Sequence, residues 1–330
     1  MARASKEILQ AAVMGFGIPV LILVSLLLYL PGNSNAEIPS TGATIPPQTT
    51  QPQLPSASAM QIELYVDGET VRIDLEEYVV GVVLSEMPAS FAPEALKAQA
   101  VAARTYALKT CADGKKHGGA VCASPGCCQG YMTAEDYLLR GWKEKYVTRV
   151  RDAVYETAGQ VLQYEGKLIR ATYFSCSGGI TESAVAVWGR DYPYLQSVES
   201  PGEEETVYYT DTLTLTLEDF QEKLGVVLTG SPQEWFGNIT YTTGGGIDTM
   251  QIGGVAYRGT TLRSLLGLRS TCFQVVVNET GILFETRGYG HRVGMSQYGA
   301  DAMAQVGKSY AEILAYYYQG TELIDYAVIN

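Results

Sequence analysis

The sequence predicts an α+β fold, in which helices and antiparallel β-hairpins are mixed within one domain. Residues 75–86 and 93–110 repeat their apolar side chains with a helical period. Residues 61–66 and 70–73 instead alternate apolar and polar side chains on either side of a short turn, which predicts a β-hairpin. Further helices are predicted at 217–224, 261–266, 297–304 and 310–318, a second hairpin at 275–284, and short strands between 153 and 196.

The composition excludes one broad class of function. The chain has 330 residues and a formal net charge of −12, whereas a protein that binds nucleic acid needs a basic surface. We therefore expect no nucleic-acid partner. Hydrophobic residues make up 46% of the chain, which is enough to build a core without disulfide bonds.

The N-terminal part of the chain has the pattern of a membrane anchor. Residues 11–31 are almost wholly apolar and long enough to cross a bilayer as a helix. Arg3 and Lys6 precede them, which predicts that the N-terminus is cytoplasmic. A cleaved signal peptide, with a weak cleavage site at 34–36, is the alternative. The predicted organisation is a cytoplasmic tail at 1–10, a transmembrane anchor at 11–31, a flexible linker at 32–58 and an extracytoplasmic domain at 59–330.

Glu86 lies on the apolar side of its predicted helix. Asp74 is a suitable N-cap for this helix, and Pro88 disfavours helical geometry at the residue before it, so that the helix should end close to Glu86. Glu86 follows Val79 by seven residues and shares its apolar stripe. Partial burial and the negative end of the helix dipole both raise the pKa of a carboxyl group, as a general acid requires. The alternative is a structural salt bridge from Glu86 to Lys97 or Arg104 on the next helix.

Four sequence blocks resemble one known family. They are residues 75–108, which include Ser85-Glu86-Met87-Pro88, residues 173–179, residues 258–270 and residues 288–300. Together they resemble the stage II sporulation protein D family, which is related to the amidase enhancers. The blocks occur in the family's order and span nearly all of the predicted domain.

The resemblance implies an activity and a catalytic residue. It implies a lytic transglycosylase that acts during engulfment in sporulation, with Glu86 as the catalytic acid. This enzyme would cleave peptide-free peptidoglycan strands between N-acetylmuramic acid and N-acetylglucosamine, and would leave 1,6-anhydro ends. The expected partners are the glycan strands, the membrane and a cell-wall amidase or endopeptidase of the engulfment machinery.

The matched blocks also supply candidate substrate-binding residues. A strand that ends in Gly-Gly allows a ligand to approach the backbone closely, and Ser296 is a suitable helix cap beside His291. The family usually has glycine where this chain has Arg292. The candidates are Lys97, Gln99, Arg104, Tyr173, Ser175, Ser177, Gly178, Gly179, His291, Ser296 and Gln297.

A cluster of cysteines predicts a structural zinc site. His117, Cys122, Cys127 and Cys128 offer three thiolates and one imidazole, a closed tetrahedral ligand set. Disulfide bonds are the alternative, because the predicted compartment lies outside the cytoplasm. Some sporulation members of the family bind zinc in this segment, with a histidine at the position of Cys127. Cys111 is an alternative ligand.

Four further expectations concern cysteines and competing functions. Cys176 and Cys272 form a disulfide bond or remain as buried thiols, and we favour the disulfide. A non-catalytic, peptidoglycan-binding amidase enhancer is the alternative function. A zinc hydrolase is disfavoured, because a closed ligand set leaves no position for water. A hydrolase would need a second catalytic carboxylate. Glu182 and Asp191 are the only candidates beside the matched blocks, and neither is a compelling one.

Overall fold

The structure is a computed structural model that describes residues 60–114, 116–279 and 281–328. They belong to one unit that spans Ser56–Asn330. The predicted cytoplasmic tail, anchor and linker lie outside the described residues. Within the described part of the chain, we find no helix that is long and apolar enough to cross a membrane.

The described residues confirm the α+β class. The α-helices are α1 (Leu75–Glu86), α2 (Pro93–Asp113), α3 (Ala134–Leu139), α4 (Glu144–Glu156), α5 (Ala184–Trp188), α6 (Leu217–Leu224), α7 (Gly259–Leu266), α8 (Gln297–Gln305) and α9 (Tyr310–Tyr317). The strands are β1 (Gln61–Val66), β2 (Glu69–Asp74), β3 (Val121–Cys122), β4 (Gln160–Tyr164), β5 (Lys167–Leu168), β6 (Tyr173–Phe174), β7 (Thr210–Leu215), β8 (Phe236–Tyr241), β9 (Ile247–Ile252), β10 (Val255–Arg258), β11 (Phe273–Asn278), β12 (Gly281–Arg287), β13 (Met295–Ser296) and β14 (Glu322–Asp325).

Most of the predicted elements are found within a few residues of their expected bounds. The main difference is helix α4, which was not among the predicted elements, since only short strands were predicted, and only between 153 and 196. Helix α4 buries Val147, Val150 and Val154 on one face. These positions have a helical spacing, so the sequence itself carries a signal for α4.

Helix α1 positions its last residue, Glu86, by clear local rules. The Asp74 carboxylate accepts hydrogen bonds from the backbone N–H groups of Glu76 and Glu77, which caps the first turn. The apolar residues of the middle turns are buried almost completely. Met87 has an extended backbone, as Pro88 requires, and therefore ends the helix.

Helix α2 is the centre of the first hydrophobic core. Its small side chains, including Ala98, Ala100 and Ala103, are fully buried. The helices α1, α4, α8 and α9 and the strand β4 all pack against it. Because alanine side chains are short, these neighbours can approach the α2 backbone closely.

A second hydrophobic core is built from a later part of the chain. Two three-stranded antiparallel sheets, β7–β12–β11 and β8–β9–β10, enclose it together with α6 and α7. Phe220, Met250 and Phe284 are almost fully buried at its centre. The first core takes its residues from both sides of this segment, from 62–195 and from 293–318. The segment that forms the second core is therefore inserted between two segments that both belong to the first core.

Candidate active site

The described residues form a cavity of about 1330 Å³ beside the C-terminal end of α1. Its walls are rich in aromatic side chains, among them Tyr137, Trp142, Trp188, Tyr289 and Tyr298. Trp142 is 55% exposed and Trp188 is 41% exposed, so both present ring surface to solvent. Exposed aromatic faces are suited to stacking against the apolar faces of sugar rings. Glu86 and four of the candidate substrate-binding residues line the cavity: Tyr173, Ser175, His291 and Gln297.

Glu86 opens onto this cavity and makes no salt bridge among the described residues. Burial raises the pKa of Glu86 above its ordinary value, as its position on the apolar stripe predicts. The backbone N–H of Gly130 donates a hydrogen bond to Oε1, which opposes this rise in pKa only in part. The Glu86 carboxyl group is therefore suited to hold a proton and release it.

Tyr173 lies next to the glutamate and belongs to a short chain of hydrogen bonds. Its hydroxyl donates to Gln129 Oε1 at 2.7 Å, and Gln129 Nε2 donates to the Tyr78 hydroxyl at 3.2 Å. Burial holds the pKa of Tyr173 well above its usual range, and the nearby Glu86 charge acts in the same direction. Tyr173 is thus neutral and adds no charge beside the carboxyl group of Glu86.

His291 forms part of the cavity wall as a neutral side chain. Its ring packs against Phe174 and Trp188, with centroid distances of 5.7 and 5.3 Å. Burial and the charge of Arg263 lower the pKa of His291 to about 4. Its Nδ1 accepts a hydrogen bond from the Val293 N–H at 3.1 Å, which fixes the ring. His291 shapes the cavity and is not a proton donor at neutral pH.

The structure places Lys97 and Arg104, two predicted sugar-binding residues, in ion pairs away from the cavity. Lys97 Nζ is ion-paired with Glu94 at 2.9 Å and with Glu156 at 2.7 Å. Arg104 is fully buried and ion-paired with Glu76 at 2.5 Å. Neither side chain lines the cavity or contacts Glu86, so the alternative salt bridges of Glu86 are also excluded.

Gln99 lies behind the cavity wall. It is fully buried, and its Oε1 accepts a hydrogen bond of 3.4 Å from Nε2 of Gln297, which does line the cavity. The Gln99 side chain therefore contacts Gln297 and does not reach the cavity. Both residues come from the predicted set, but only Gln297 lines the cavity.

The structure places Ser177, Gly178, Gly179 and Ser296, all predicted to bind sugar, in an internal hydrogen-bond network, in which the Gly179 N–H donates to the Ser177 hydroxyl. The Glu203 carboxylate accepts hydrogen bonds from the Ser177 N–H and hydroxyl, the Gly178 N–H and the Ser296 hydroxyl. Ser296 also caps α8, as predicted, by accepting from the Gly299 N–H. None of these four predicted residues lines the cavity.

The glycine at 178 serves a backbone contact within the chain. Its φ is +72°, and a Cβ atom there would lie 2.7 Å from the Gly288 nitrogen. The close approach that the Gly-Gly pair permits is therefore made by the protein's own segment after β12, and not by a substrate.

The structure brings together a group of four side chains that could hold a metal ion. The ligand atoms of His117, Cys122, Cys127 and Cys128 all lie within 4.8 Å of one another. The Cys127 and Cys128 sulfurs are 3.9 Å apart, and the Cys127 sulfur is 3.4 Å from His117 Nε2. Tetrahedral zinc bonds of about 2.3 Å to sulfur and 2.0–2.1 Å to nitrogen imply separations of about 3.8 and 3.6 Å. The donor set therefore fits zinc, and Cys111 is not part of it.

Strand pairing explains how distant residues reach this group. Strand β3 pairs in parallel with β1, which places Cys122 beside Tyr65. The Tyr65 ring in turn stacks on His117, with centroids 4.8 Å apart. Cys128 is followed directly by Gln129 and Gly130, the two residues that contact Tyr173 and Glu86. The metal-binding group thus holds one end of the segment that supports the carboxyl group of Glu86.

The structure also bears on two features of the matched blocks, the state of Cys176 and Cys272 and the arginine at 292. Cys176 and Cys272 are both free thiols, which corrects the favoured disulfide, and the Cys176 thiol donates to Glu203 at 3.2 Å. Arg292 has a φ of 64°, a left-handed conformation that glycine adopts readily. Its guanidinium is fully buried and ion-paired with Glu182 at 3.4 Å. The chain thus keeps the conformation expected of the family's glycine and adds a buried cation.

Sequence reasoning missed three residues that matter for the site. Gly130 and Gln129 directly follow the cysteine cluster, but nothing in their spacing relates them to Glu86. Glu203 begins a run of three glutamates and cannot be distinguished from its solvated neighbours by sequence. Its burial follows only from the tertiary structure, which surrounds it with donors.

The chain is similar to one described protein family and to two proteins named as its members. Residues 68–164 match the family described as Stage II sporulation protein. The chain is 40% identical over 319 residues to Stage II sporulation protein D of Bacillus subtilis (strain 168), with 92% of each chain covered. It is also 43% identical over 258 residues to Stage II sporulation protein D of Bacillus amyloliquefaciens, covering 76% of this chain and 74% of that protein. The chain therefore belongs to the stage II sporulation protein D family.

A more distant relative has a different name. The chain is 30% identical over 305 residues to the Amidase enhancer of Bacillus subtilis (strain 168), covering 74% of this chain and 40% of that protein. The resemblance expected from the four sequence blocks, including the relation to amidase enhancers, is therefore confirmed.

Proposed function

We propose that the protein is a lytic transglycosylase that cleaves peptide-free peptidoglycan strands during sporulation, with Glu86 as its catalytic acid. The observation that carries this proposal is one carboxyl group, with a raised pKa, at the wall of a large aromatic cavity. A general acid needs a carboxyl group that stays protonated near the working pH, and burial of Glu86 supplies this property.

The proposed reaction needs one group that gives and then accepts a proton. Glu86 donates its proton to the glycosidic oxygen between N-acetylmuramic acid and N-acetylglucosamine, and the bond breaks through an oxocarbenium-like state. The Glu86 carboxylate then takes the proton from the 6-hydroxyl of the muramic acid unit. The 6-oxygen bonds to the anomeric carbon and closes the 1,6-anhydro ring, so no water is consumed.

The other carboxylates of the site support this reaction over hydrolysis. Among the described residues, Asp113 is the only other carboxylate that lines the cavity, and it is ion-paired with Lys109 and Arg170. Glu182 is fully buried in its ion pair with Arg292, and Asp191 lies on the surface. A hydrolase of the common type needs a second catalytic carboxylate that is available to activate water or to attack.

The hydrogen bond from Gly130 gives the Glu86 carboxyl group a defined orientation. With Oε1 occupied as an acceptor, the proton is held on Oε2. A proton in a fixed position can be transferred without the cost of ordering the acid during the reaction. Tyr173 and Gln129 hold this part of the cavity in place through their mutual hydrogen bond.

We assign a structural role to zinc at His117, Cys122, Cys127 and Cys128. Four protein ligands would fill a tetrahedral shell, so the ion would supply a cross-link and no catalytic water. This cross-link would fix the segment that leads to Gly130. The proposal also retains the predicted membrane anchor at 11–31, an extracytoplasmic domain and an amidase or endopeptidase partner that removes stem peptides before cleavage.

The decisive experiment separates the enzyme from a non-catalytic amidase enhancer. The full-length chain, in detergent micelles, is incubated with peptide-free glycan strands, and the products are analysed by mass spectrometry. We expect 1,6-anhydro ends with the native chain and a loss of at least about 100-fold with Glu86→Gln. Glu218→Gln, the same change at an exposed carboxylate of α6 that does not line the cavity, is the control variant and should keep full activity. Hydrated reducing ends would identify a hydrolase, and binding without cleavage would support the enhancer.

A further inference from the structure

The charge of the cavity differs in sign from the charge of the whole chain. Five basic side chains line it against two carboxylates, although the net charge of the chain is −12. The five are Lys116, Arg140, Arg170, Arg190 and Arg263. A concave surface that concentrates positive charge attracts an anionic ligand.

Arg263 differs from the other cations of the cavity. Arg170 is ion-paired with Asp113 at 2.9 Å, and Arg140 and Arg190 are exposed to water. Lys116 donates to a backbone carbonyl oxygen at the metal-binding group. Arg263 is half-buried and makes no ion pair with any described carboxylate. Burial accordingly lowers the pKa of its guanidinium.

The Arg263 side chain is held in position by one of its nitrogens. Its Nε donates to the Arg269 carbonyl oxygen at 3.1 Å, just beyond the end of α7. Neither Nη atom makes a hydrogen bond with the described part of the chain. The side chain lines the cavity near His291 and Tyr289. A fixed guanidinium with two unused Nη donors matches the two oxygens of a carboxylate.

Partial burial of an unpaired cation costs free energy that an anionic ligand can recover. The aromatic wall of the cavity indicates a sugar, and Arg263 indicates that this sugar carries a carboxylate. The lactyl group of N-acetylmuramic acid ends in a free carboxylate only when no stem peptide is attached. When a peptide is attached, the same carbon belongs to a neutral amide.

We propose that Arg263 binds the free lactyl carboxylate of a peptide-free muramic acid unit and thereby selects strands that have lost their stem peptides. This inference rests on the proposed function for the identity of the sugar. It assigns the selection of peptide-free strands to a charge contact made by α7, which packs in the second core. Glu86 and Tyr173, which line the same cavity, are carried by elements of the first core.

The test compares two ligands that differ only in this charge. Peptide-free glycan oligomers are used either with free lactyl carboxylates or after conversion of those groups to carboxamides. Binding is measured by calorimetry with the full-length Glu86→Gln chain in detergent micelles, so that no ligand is cleaved. We expect the carboxylate form to bind about 10- to 100-fold more tightly, as for a charge-assisted pair in a partly buried site.

The variants distinguish recognition from a structural effect. Adding Arg263→Gln should remove the preference and leave binding of the carboxamide form within about twofold. Arg263→Lys should retain part of the preference, because it keeps the charge but not the paired donors. Arg258 ends β10, is exposed and does not line the cavity, so Arg258→Gln should keep the full preference.

Three results would overturn the inference. Either Arg263→Gln weakens both ligands to the same extent, or the preference survives the substitution. Equal binding of both ligands by the starting chain would do the same. A chain that prefers the carboxylate form through Arg263 but produces no anhydro ends would refute the proposed function while leaving this inference intact.

Discussion

At the scale of single residues, two opposing effects act on Glu86. Burial disfavours its charged form, whereas the hydrogen bond from the Gly130 N–H favours it, and burial is the larger effect. The negative end of the helix dipole was also expected to raise this pKa, but desolvation by burial is the largest effect on it. The side chain therefore combines a raised pKa with a defined orientation.

This raised pKa has a consequence for stability that depends on pH. A carboxyl group whose pKa is higher in the folded than in the unfolded state binds its proton more tightly in the folded state. Its contribution to the free energy of unfolding is complete at pH values below the unfolded pKa and is lost as the pH rises through the folded pKa. Glu86→Gln cannot ionise and keeps the Oε1 acceptor for Gly130. We expect the variant to have a Tm a few degrees above that of the native chain at pH 8.

The difference between the two chains should disappear as pH falls. Near pH 4 and below, most of the carboxyl group is protonated in both folded and unfolded states, so the two melting temperatures should converge. Glu312→Gln is a suitable comparison, because hydrogen bonds from Ser309 and Lys308 lower the pKa of that exposed carboxyl group to about 2. A Glu86→Gln chain that is equally or less stable at pH 8 would contradict burial of the Glu86 carboxylate.

At the scale of elements, the loop between α2 and α3 connects two parts of the site. Its metal-binding group lies near β1 and β3, and its last residues supply Gln129 and Gly130 to the cavity. Without a cross-link, the order of this loop depends on a few hydrogen bonds and the stacking of Tyr65 on His117. A bound zinc ion would fix it more strongly.

Metal analysis of the purified chain tests this arrangement. We expect about one zinc ion per chain, bound by the four ligands of the group. Cys128→Ser should lower the zinc content and reduce cleavage of glycan strands, because Gly130 would no longer be held against Glu86. Cys111→Ser is the matched control, since Cys111 lies outside the group, and should leave both unchanged. A chain without zinc, whose cysteines are oxidised to disulfides, would contradict the proposal.

At the scale of the whole molecule, the two hydrophobic cores meet at a buried ion pair. Glu182 Oε1 accepts hydrogen bonds from the Thr242 hydroxyl and the Gly246 N–H, and Arg292 donates to the Gly244 carbonyl oxygen. Hydrogen bonds from this ion pair therefore connect the segments around Glu182 and Arg292 to the loop between β8 and β9. This connection bears on the cavity, because Arg263 belongs to the second core and Glu86 to the first.

Arg292→Gly tests the contribution of this buried cation. The substitution suits the left-handed backbone at 292 but leaves the buried Glu182 without its partner, which costs about 3–5 kcal/mol. Denaturant unfolding should show this loss of free energy. Adding Glu182→Gln should recover part of it, because no buried charge then remains unpaired. If the double variant loses as much as the sum of the two single variants, the two residues are not energetically coupled.

Much of the local structure follows from sequence patterns alone. The cap at Asp74, the apolar stripe of α1 and the proline at 88 together predict the bounds of that helix and the partial burial of Glu86. The cysteine cluster likewise predicts its own ligand set, because three of the four residues lie within seven positions of one another. These features depend on interactions between residues that are close along the chain.

The roles of the other candidates were decided only by the tertiary structure. Sequence alone could not show that Arg104 pairs with Glu76, that Ser177 and Ser296 both donate to Glu203, or that α7 brings Arg263 to the cavity. Each of these contacts joins segments far apart along the chain, and a matched motif does not distinguish a buried support from an accessible ligand contact. The sequence by itself determined the family, the fold class and the environment of Glu86. The packing of the two cores determined which side chains a substrate can reach, because burial depends on neighbours that no local pattern specifies.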